Sequence, residues 1–270
     1  MTYHILGNEL VSVIVPTFNN KRTIEMCLRS IVNQTHAQIE IILVDNHSDD
    51  GTVEIGQRFG AKILSGDIGM AEARNLGASA SSGAYLFNVD SDQELDPRLV
   101  QDCVSLCQQG ADAVYVHELF VASGFWSRCR MIEYMTYWGD PAMEVPRFVR
   151  KKLFERVGGY DVRLTAGEDY DFSFRARKVS TRFAASRYLL NHHEAGSLKY
   201  IVFKKYRYGK TMKLYIDKYG MKAFGHFTLI RPAWLRNRRL LLTYPQYSAG
   251  MIFIKFLQYA VSFIGLLLGE

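Results

Sequence analysis

The sequence predicts an α/β fold, a mostly parallel sheet with helices on both faces, joined to a C-terminal α-helical region of different character. Three observations carry this expectation. Short β-branched runs alternate with helix-spaced segments, acidic turns follow two of those runs, and the charge changes sign along the chain.

Leu10-Val-Ser-Val-Ile-Val-Pro-Thr-Phe18 is an apolar run stopped by proline, the pattern of a buried parallel strand entering a loop. Thr23 to Val32 follows as a helix, with Ile24, Cys27, Leu28 and Ile31 at spacings of three and four and Asn33 at its close. Ile39 to Val44 is a second strand, and Asp45-Asn-His-Ser-Asp-Asp-Gly-Thr52 is a turn-rich loop able to cap another helix. Ala61 to Leu64 reads as a third strand, Ala71 to Ala80 as a helix of small residues able to pack closely on a sheet, and Ala84 to Val89 as a fourth strand running into Asp90-Ser91-Asp92. Ala111 to Val116 is a further strand. A turn at Gly158-Gly159-Tyr160-Asp161 precedes a helix from about Asp169 to Lys178, and Phe183 to Leu190 is expected as the last strand. The alternation is Rossmann-like. Ligands in such sheets sit beyond the carboxyl ends of the strands, so Pro16 to Asn19, Asp45 and Asp90 to Asp92 should converge on one rim. This predicts a catalytic domain over 1–196 and a basic helical region over 197–270.

The bulk properties narrow the function classes. A hydrophobic fraction of 48% with 22% charged residues excludes extended disorder, and no repeat is visible. Cys27, Cys103, Cys107 and Cys129 lack a paired metal-ligand spacing. They are expected as reduced thiols. With no basic, apolar and small-residue export pattern at the N-terminus, a cytosolic-facing protein is expected. Of the formal net charge of +6, Ser197 to Ser248 alone carries +11, from twelve Lys or Arg against Asp217, which leaves residues 1–196 at −5.

Asp90 and Asp92 flank one residue at a strand end, so both carboxylates can reach one cleft and share a hard divalent cation, Mn2+ or Mg2+. Such an ion would bridge the phosphates of a nucleotide donor and neutralise the departing diphosphate. A solvated turn capping the helix after Pro97 is the other reading of the same residues. Asp45, also ending a strand, can accept a hydrogen bond from a base N–H or serve as an ordinary turn aspartate. Glu168-Asp169 stands between Gly167 and an apolar helix and suits an N-cap. His192 and His193 follow the last expected strand, where one imidazole could complete a metal site or be structural.

Taken together, Ser12-Val-Ile-Val-Pro-Thr-Phe-Asn19, the Val44 to Thr52 loop, Ala73-Arg-Asn-Leu-Gly77, Asp90-Ser91-Asp92 and Gly158-Gly-Tyr-Asp161 with Gly167-Glu-Asp-Tyr-Asp171 resemble the family 2 glycosyltransferases in order and spacing. The resemblance implies a glycosyltransferase A fold, a nucleotide-sugar donor linked to GDP or UDP, and inversion at the anomeric carbon by direct displacement. By position, it implies that Pro16, Thr17 and Asn19 line the nucleoside pocket, Asp45 meets the base and Arg74 lies near the nucleotide. Asp90, beside Ser91, would lie near ribose and metal, and Asp92 would be the main metal ligand. Asp169 would be the catalytic base, with Glu168 orienting acceptor or base. The resemblance also favours His192 over His193 as the metal ligand, since Glu194 and Gly196 then fall where family members place an acid and a glycine, although Asn191 and Ala195 disturb that register. Asn46 stands where the family often has a second aspartate, which bears on the base more than on the reaction.

The tail interleaves cations with aromatics at Phe203-Lys-Lys-Tyr-Arg-Tyr-Gly-Lys210 and again at Arg231-Pro-Ala-Trp-Leu-Arg-Asn-Arg-Arg239, the footprint of an anionic surface. Ala249 to Leu268, nearly all apolar, favours a membrane over a nucleic acid. Its length permits a span. Lys255, Gln258, Tyr259 and Ser262 instead recur as a helical polar stripe, which favours a helix lying in the interface, while burial in the tail's own core is a third reading. Peripheral or monotopic attachment to the cytoplasmic face of the cell membrane is expected. The expected function is transfer of a hexose, with mannose from GDP-mannose as one candidate, to a lipid-linked or other glycan acceptor. Its rivals are a polyprenyl-phosphate hexose synthase, a nucleotidyltransferase, and a non-catalytic basic membrane-binding module.

Overall fold

The apolar runs form strands because β-branched residues pack on a pleated surface from both sides. In a computed structural model that describes residues 9–121, 124–140, 143–193, 197–220 and 231–268, they are β1 (Val11–Thr17), β2 (Ile39–Asp45), β3 (Lys62–Ser65) and β4 (Tyr85–Asn88), followed by β5 (Gln93–Leu95), β6 (Ala113–Tyr115) and β7 (Glu118–Phe120). Later strands are β8 (Pro146–Arg150), β9 (Phe183–Ala185) and β10 (Leu190–His192). The early helices are α1 (Lys21–Val32), α2 (Thr52–Arg58), α3 (Met70–Ser79), α4 (Leu99–Gln108), α5 (Phe125–Met135), α6 (Lys151–Val157) and α7 (Glu168–Val179). The tail holds α8 (Leu198–Tyr219), α9 (Pro232–Arg236), α10 (Arg238–Thr243) and α11 (Pro245–Leu268).

The chain divides into two compact units. The first comprises Met1–His117, Pro146–Tyr160 and Phe172–Asn191, and the second Glu118–Val145, Asp161–Asp171 and His192–Glu270. The last segment of the second unit starts near the expected boundary at residue 196. Two earlier segments join it.

The first unit holds a seven-stranded sheet in the order β3-β2-β1-β4-β8-β6-β9. Pairs β1/β2, β1/β4, β2/β3 and β6/β9 are parallel, while β8 runs antiparallel to both β4 and β6. One face packs α1 and α4 through Ile24, Leu28, Ile31, Leu99, Val100 and Cys103. On the other lie Ala73 and Ala78 of α3 with Leu153, Phe172 and Ala176. Gly77 is required here, because a Cβ would collide with Ile14 Cγ2 of β1. All four cysteines are free and buried.

One segment departs from the sequence expectation. Phe183 to Leu190 is not one strand but β9 and β10. The interruption comes at Ser186 and Arg187, whose side chains turn to Asp102, with Ser186 Oγ donating at 2.8 Å and Arg187 Nε at 3.0 Å. The stretch from Phe148 to Phe154, to which the sequence assigned no element, changes from strand to helix at Arg150, whose φ of −61° and ψ of 133° end β8 and open α6.

The second unit is helical. Cys129, Ile132, Tyr137, Ile201, Ala233, Trp234, Met251 and Ile254 form its core. Helices α8 and α11 touch backbone to backbone where Gly209 faces Ser262 and Gly265 faces the Tyr206 carbonyl; a side chain at either glycine would clash.

Candidate active site

Register fixes the rim. Thr17 at the end of β1 pairs with Asp45 at the end of β2, and Ile14 pairs with Asn88 at the end of β4, so Asp90 to Asp92 leave the sheet beside the same strand ends. The Pro16 to Asn19 turn and the Asp45 loop are stitched together. Asn19, at φ 50°, donates its N–H to Ser48 Oγ at 2.8 Å and accepts from Asp49 N at 3.0 Å. A left-handed backbone suits asparagine better than most side chains. Asp45 is 2% exposed and accepts from both the N–H and the hydroxyl of Ser48, at 2.9 and 2.5 Å. Its carboxylate is thereby held rigid, and four lone-pair sites leave room for a further donor. Thr17 is buried and accepts from Asn20 Nδ2 at 3.3 Å. Asn46 accepts from the Ile68 N–H at 3.3 Å, so in this chain it braces the loop that precedes α3.

Asp90 is the electrostatic centre of this rim. Arg74 Nη2 lies 3.0 Å from its Oδ1 and Arg147 Nη2 3.2 Å from its Oδ2, while Gln93 bonds both its N–H and its carboxylate, at 2.9 and 3.2 Å. Arg74 is itself fixed by burial and by stacking at 5.4 Å over Tyr160. Ser91 is buried and Asp92 partly exposed. Beneath them the Cys27 thiol is pushed up, by burial first and then by Asp92 and Asp90, and stays protonated. Both carboxylates therefore project their fields onto one point at the strand ends.

The remaining expected residues belong to the second unit. Asp169 opens α7, where Glu168 and Asp171 also stand in the first turn. Both Glu168 and Asp169 are partly exposed. Asp169 Oδ1 accepts from the Tyr170 N–H at 2.8 Å, and the field of its carboxylate helps raise Tyr215, pushed up to about 12 by burial first and then by Asp169 and Asp171. Gly167 sits at φ 82° with the Tyr215 ring 3.0 Å from where a Cβ would stand, so only glycine fits before this acidic turn. Asp171 differs in kind. It is fully buried and holds Lys218 at 2.5 Å together with Tyr219, a structural anchor for α8. His192 lies at the end of β10, its Nδ1 2.8 Å from Glu118 Oε2 and its ring stacked on Phe120 at 4.6 Å. A carboxylate on Nδ1 orients the ring, an arrangement that metal-binding histidines also use. His193 is described and partly exposed, whereas Glu194, Ala195 and Gly196 lie outside the described residues.

Sequence reasoning missed two members. Arg147 had a signal, a cation inside the apolar Pro146-Arg-Phe-Val149 run, but its strand is antiparallel and its partner 57 residues away. Glu118 had none. A cavity of about 500 Å3 lined by Gln34, His36, Glu40 and Phe59 lies at the opposite, amino-terminal end of β2 and holds none of these residues.

Among the described residues, no three His, Cys, Asp or Glu side chains gather closely enough to hold an ion alone. Two carboxylates one residue apart still fit Mn2+ or Mg2+, which bind few protein oxygens and take the rest from water and substrate phosphate.

A parallel sheet with acidic loops on one rim, a nested antiparallel strand and a terminal apolar helix define a glycosyltransferase of the glycosyltransferase A fold. The chain belongs to glycosyl transferase family 2, whose sequence profile matches residues 12–165. Glycosyltransferase AglE of Haloferax volcanii is 29% identical over 218 residues, 74% of this chain and 72% of that protein. A PGL/p-HBAD biosynthesis glycosyltransferase of Mycobacterium bovis is 26% identical over 73% of this chain and 81% of its own length. The mannosyltransferase PcManGT from Pyrobaculum calidifontis, solved with GDP-Man and Mn2+, superposes with a TM-score of 0.66 at 16% identity, over 96% of this chain and 87% of that one. S. aureus TarS 1-349 with UDP-GlcNAc gives 0.60 at 15% identity, over 92% and 90%. At these identities the two structures share the fold.

Proposed function

We infer that the chain is a metal-dependent, inverting hexosyltransferase that passes a sugar from a nucleotide donor to a lipid-linked acceptor at a membrane surface. The observation that carries this reading is the rim itself, with Asp45, Asp90 and Asp92 at parallel strand ends and Arg74 and Arg147 on Asp90. Pro16, Thr17, Asn19 and Asp45 hold the nucleoside. Asp92 and Asp90 would hold Mn2+ or Mg2+, with water and the donor's phosphates supplying the remaining ligands; among the described residues His192, expected as a third donor, does not gather with them into a three-residue metal site. A cation held there would supply positive charge against the diphosphate as it departs. Arg74 and Arg147, already turned to the rim, add positive charge there and cost no reorganisation. Asp169 takes the proton of the acceptor hydroxyl as its oxygen bonds to the anomeric carbon, and the nucleoside diphosphate leaves with the bonding pair. Glu168 orients the acceptor. Mannose from GDP-mannose is the first donor to test, since the solved structure with the higher TM-score of the two described binds it.

The acceptor class rests on the tail. Helix α11 is long and apolar enough to cross a membrane, with a mean hydropathy of 2.0. Its polar stripe does not face water, however. Lys255 and Gln258 are buried at 7% and 4%, while Phe253, Phe256 and Phe263 are exposed at 48%, 61% and 60%. The sequence pattern suggested a polar face toward solvent, but the ion pair of Lys255 with Glu133 draws that face into the protein. On α8, Tyr200, Phe203, Arg207, Lys210 and Leu214 are exposed at helical spacing on one face. Apolar rings interleaved with cations suit the anionic headgroup layer of the cytoplasmic leaflet. A bare polyprenyl phosphate is the alternative acceptor, and it would need no strong base.

Thermal-shift titration with GDP, UDP and their sugars, with and without Mn2+, tests the donor site. Stabilisation by one nucleotide only with metal is expected. Equal melting with and without every nucleotide would reject the reading.

A further inference from the structure

Inside the first unit, one buried ring lies behind the charges of the rim. Tyr160 stands three residues past α6 and is 6% exposed. Its ring packs against Phe154 at 5.7 Å and Phe172 at 4.8 Å, a position closed to any ligand. Its hydroxyl accepts from Asn88 Nδ2 at 3.3 Å, at the end of β4 and two residues before Asp90. Its backbone is tied to α3. The Tyr160 N–H donates to Asn75 Oδ1 at 2.8 Å, and its carbonyl accepts from Asn75 Nδ2 at 2.9 Å, so one amide clamps the residue from both sides. Gly159, at φ 67°, lets the turn come this close, because a Cβ there would lie 2.6 Å from Asn75 Oδ1.

Asn75 is the neighbour of Arg74 on α3. The clamp that holds the turn therefore also sets the ring beside that arginine, whose guanidinium lies 5.4 Å from the Tyr160 centroid. The same guanidinium reaches Asp90 Oδ1 at 3.0 Å. An arginine side chain has many rotamers, and fixing one of them on binding costs affinity unless the fold has fixed it beforehand. A ring face attracts a guanidinium most strongly where water is excluded, and Arg74 is 7% exposed. A buried ring clamped to the helix of Arg74 is placed to fix it.

We propose that Tyr160 is a positioning residue for the nucleotide donor: clamped by Asn75, its ring holds Arg74 in the orientation that meets the nucleoside diphosphate. Tyr160 touches no substrate and acts through Arg74. The ring carries this role, and the hydroxyl only anchors it to β4. With the hydroxyl gone, Phe154 and Phe172 still wedge the ring in place, at the cost of a buried Asn88 N–H without its acceptor. This inference rests on the transferase reading for the identity of the ligand, and its test measures binding, not turnover.

Calorimetric titration of the full chain with GDP and with UDP, each with Mn2+, tests it, with melting temperatures measured beside the affinities. Tyr160→Phe should melt lower yet bind within about twofold of the unaltered chain. Tyr160→Leu removes the ring face and should weaken binding about fivefold. Arg74→Gln with Tyr160→Leu should bind no worse than Arg74→Gln alone, because a residue that acts through Arg74 then has nothing left to position. A ring that served only the core would cost the same factor in both backgrounds. That additivity would overturn the proposal, as would unaltered affinity in folded Tyr160→Leu, and an equal loss in Tyr160→Phe would overturn the assignment to the ring. Asn75→Ala keeps every ring and frees the turn; it should weaken binding about threefold in the unaltered chain and not in Arg74→Gln. This variant decides the matter where Tyr160→Leu does not fold, since equal losses in both backgrounds, or none in either, overturn the clamp. Failure of the unaltered chain to bind either nucleotide rejects the transferase reading itself. Binding that ignores Tyr160 and Asn75 rejects this inference alone.

Discussion

Asp90 and Asp92 stand one residue apart and meet different surroundings. Asp90 is spanned by Arg74 and Arg147, which fixes its position. Asp92, partly exposed, is the better placed to meet an incoming cation. Asp92→Ala should therefore abolish metal-dependent nucleotide stabilisation and transfer together. Asp169→Asn should leave that stabilisation intact and lower kcat by about 10² to 10⁴, the usual worth of a general base. Initial rates beside thermal shifts separate the two roles, and unchanged turnover in Asp169→Asn would remove it as the base. Asp161 makes a different residue-scale prediction. The Arg163 guanidinium, followed by Lys218 at 2.7 Å, holds its carboxyl far below the usual range. A depressed carboxylate contributes stability that is present above its unfolded value of about 4 and is lost as pH falls through the folded one. Asp161→Asn should destabilise the protein at pH 7 and flatten its acid unfolding limb below about pH 4. Melting temperature against pH measures both.

At the scale of elements, what the sequence revealed and what it hid have separate physical causes. The strands β1, β2 and β4 are legible because each is a local apolar run, and the rim residues follow from their ends. Arg147 reaches Asp90 only because β8 inserts antiparallel beside β4, a pairing set by packing and not by any local pattern. The break between β9 and β10 depends on Asp102, more than eighty residues earlier in the chain. Long-range partners of this kind leave no periodic trace. Gly77 is a case where local and long-range requirements meet. As part of a small-residue helix it signals close packing, and Ile14 of β1 shows how close. Gly77→Ala should cost about 1 to 3 kcal/mol of stability by overpacking. It should also weaken nucleotide binding, since Arg74 lies one turn earlier on the same helix. Denaturant melts and donor titration on one preparation test both. A fall in stability with donor affinity unchanged would show that α3 does not position Arg74 for the nucleotide.

At the scale of the whole molecule, the acidic first part and basic tail define where the protein should work. The stripe of Lys255, Gln258 and Ser262 was legible in the sequence, but its direction was not, because nothing local says that Glu133 waits on α5. With that stripe turned inward, the outer surface of α11 offers Ile252, Phe253, Phe256, Phe263 and Leu267, and the exposed face of α8 adds Arg207 and Lys210. A helix that keeps charged and amide groups against protein along its middle turns is suited to lie along a bilayer, and the same groups would burden a lone span. The full chain should therefore sediment with vesicles containing anionic phosphatidylglycerol and much less with neutral phosphatidylcholine. Each basic group near such a surface is worth about 1 kcal/mol, so Arg207→Gln with Lys210→Gln should weaken binding about tenfold or more. Phe256→Asp with Phe263→Asp should weaken it further, by replacing buried rings worth about 1.5 to 3 kcal/mol each with charge. Alkaline carbonate separates the two modes of attachment. A helix lying in the interface is released, whereas a spanning one stays with the membrane, and retention of the full chain after that wash would assign α11 to a span.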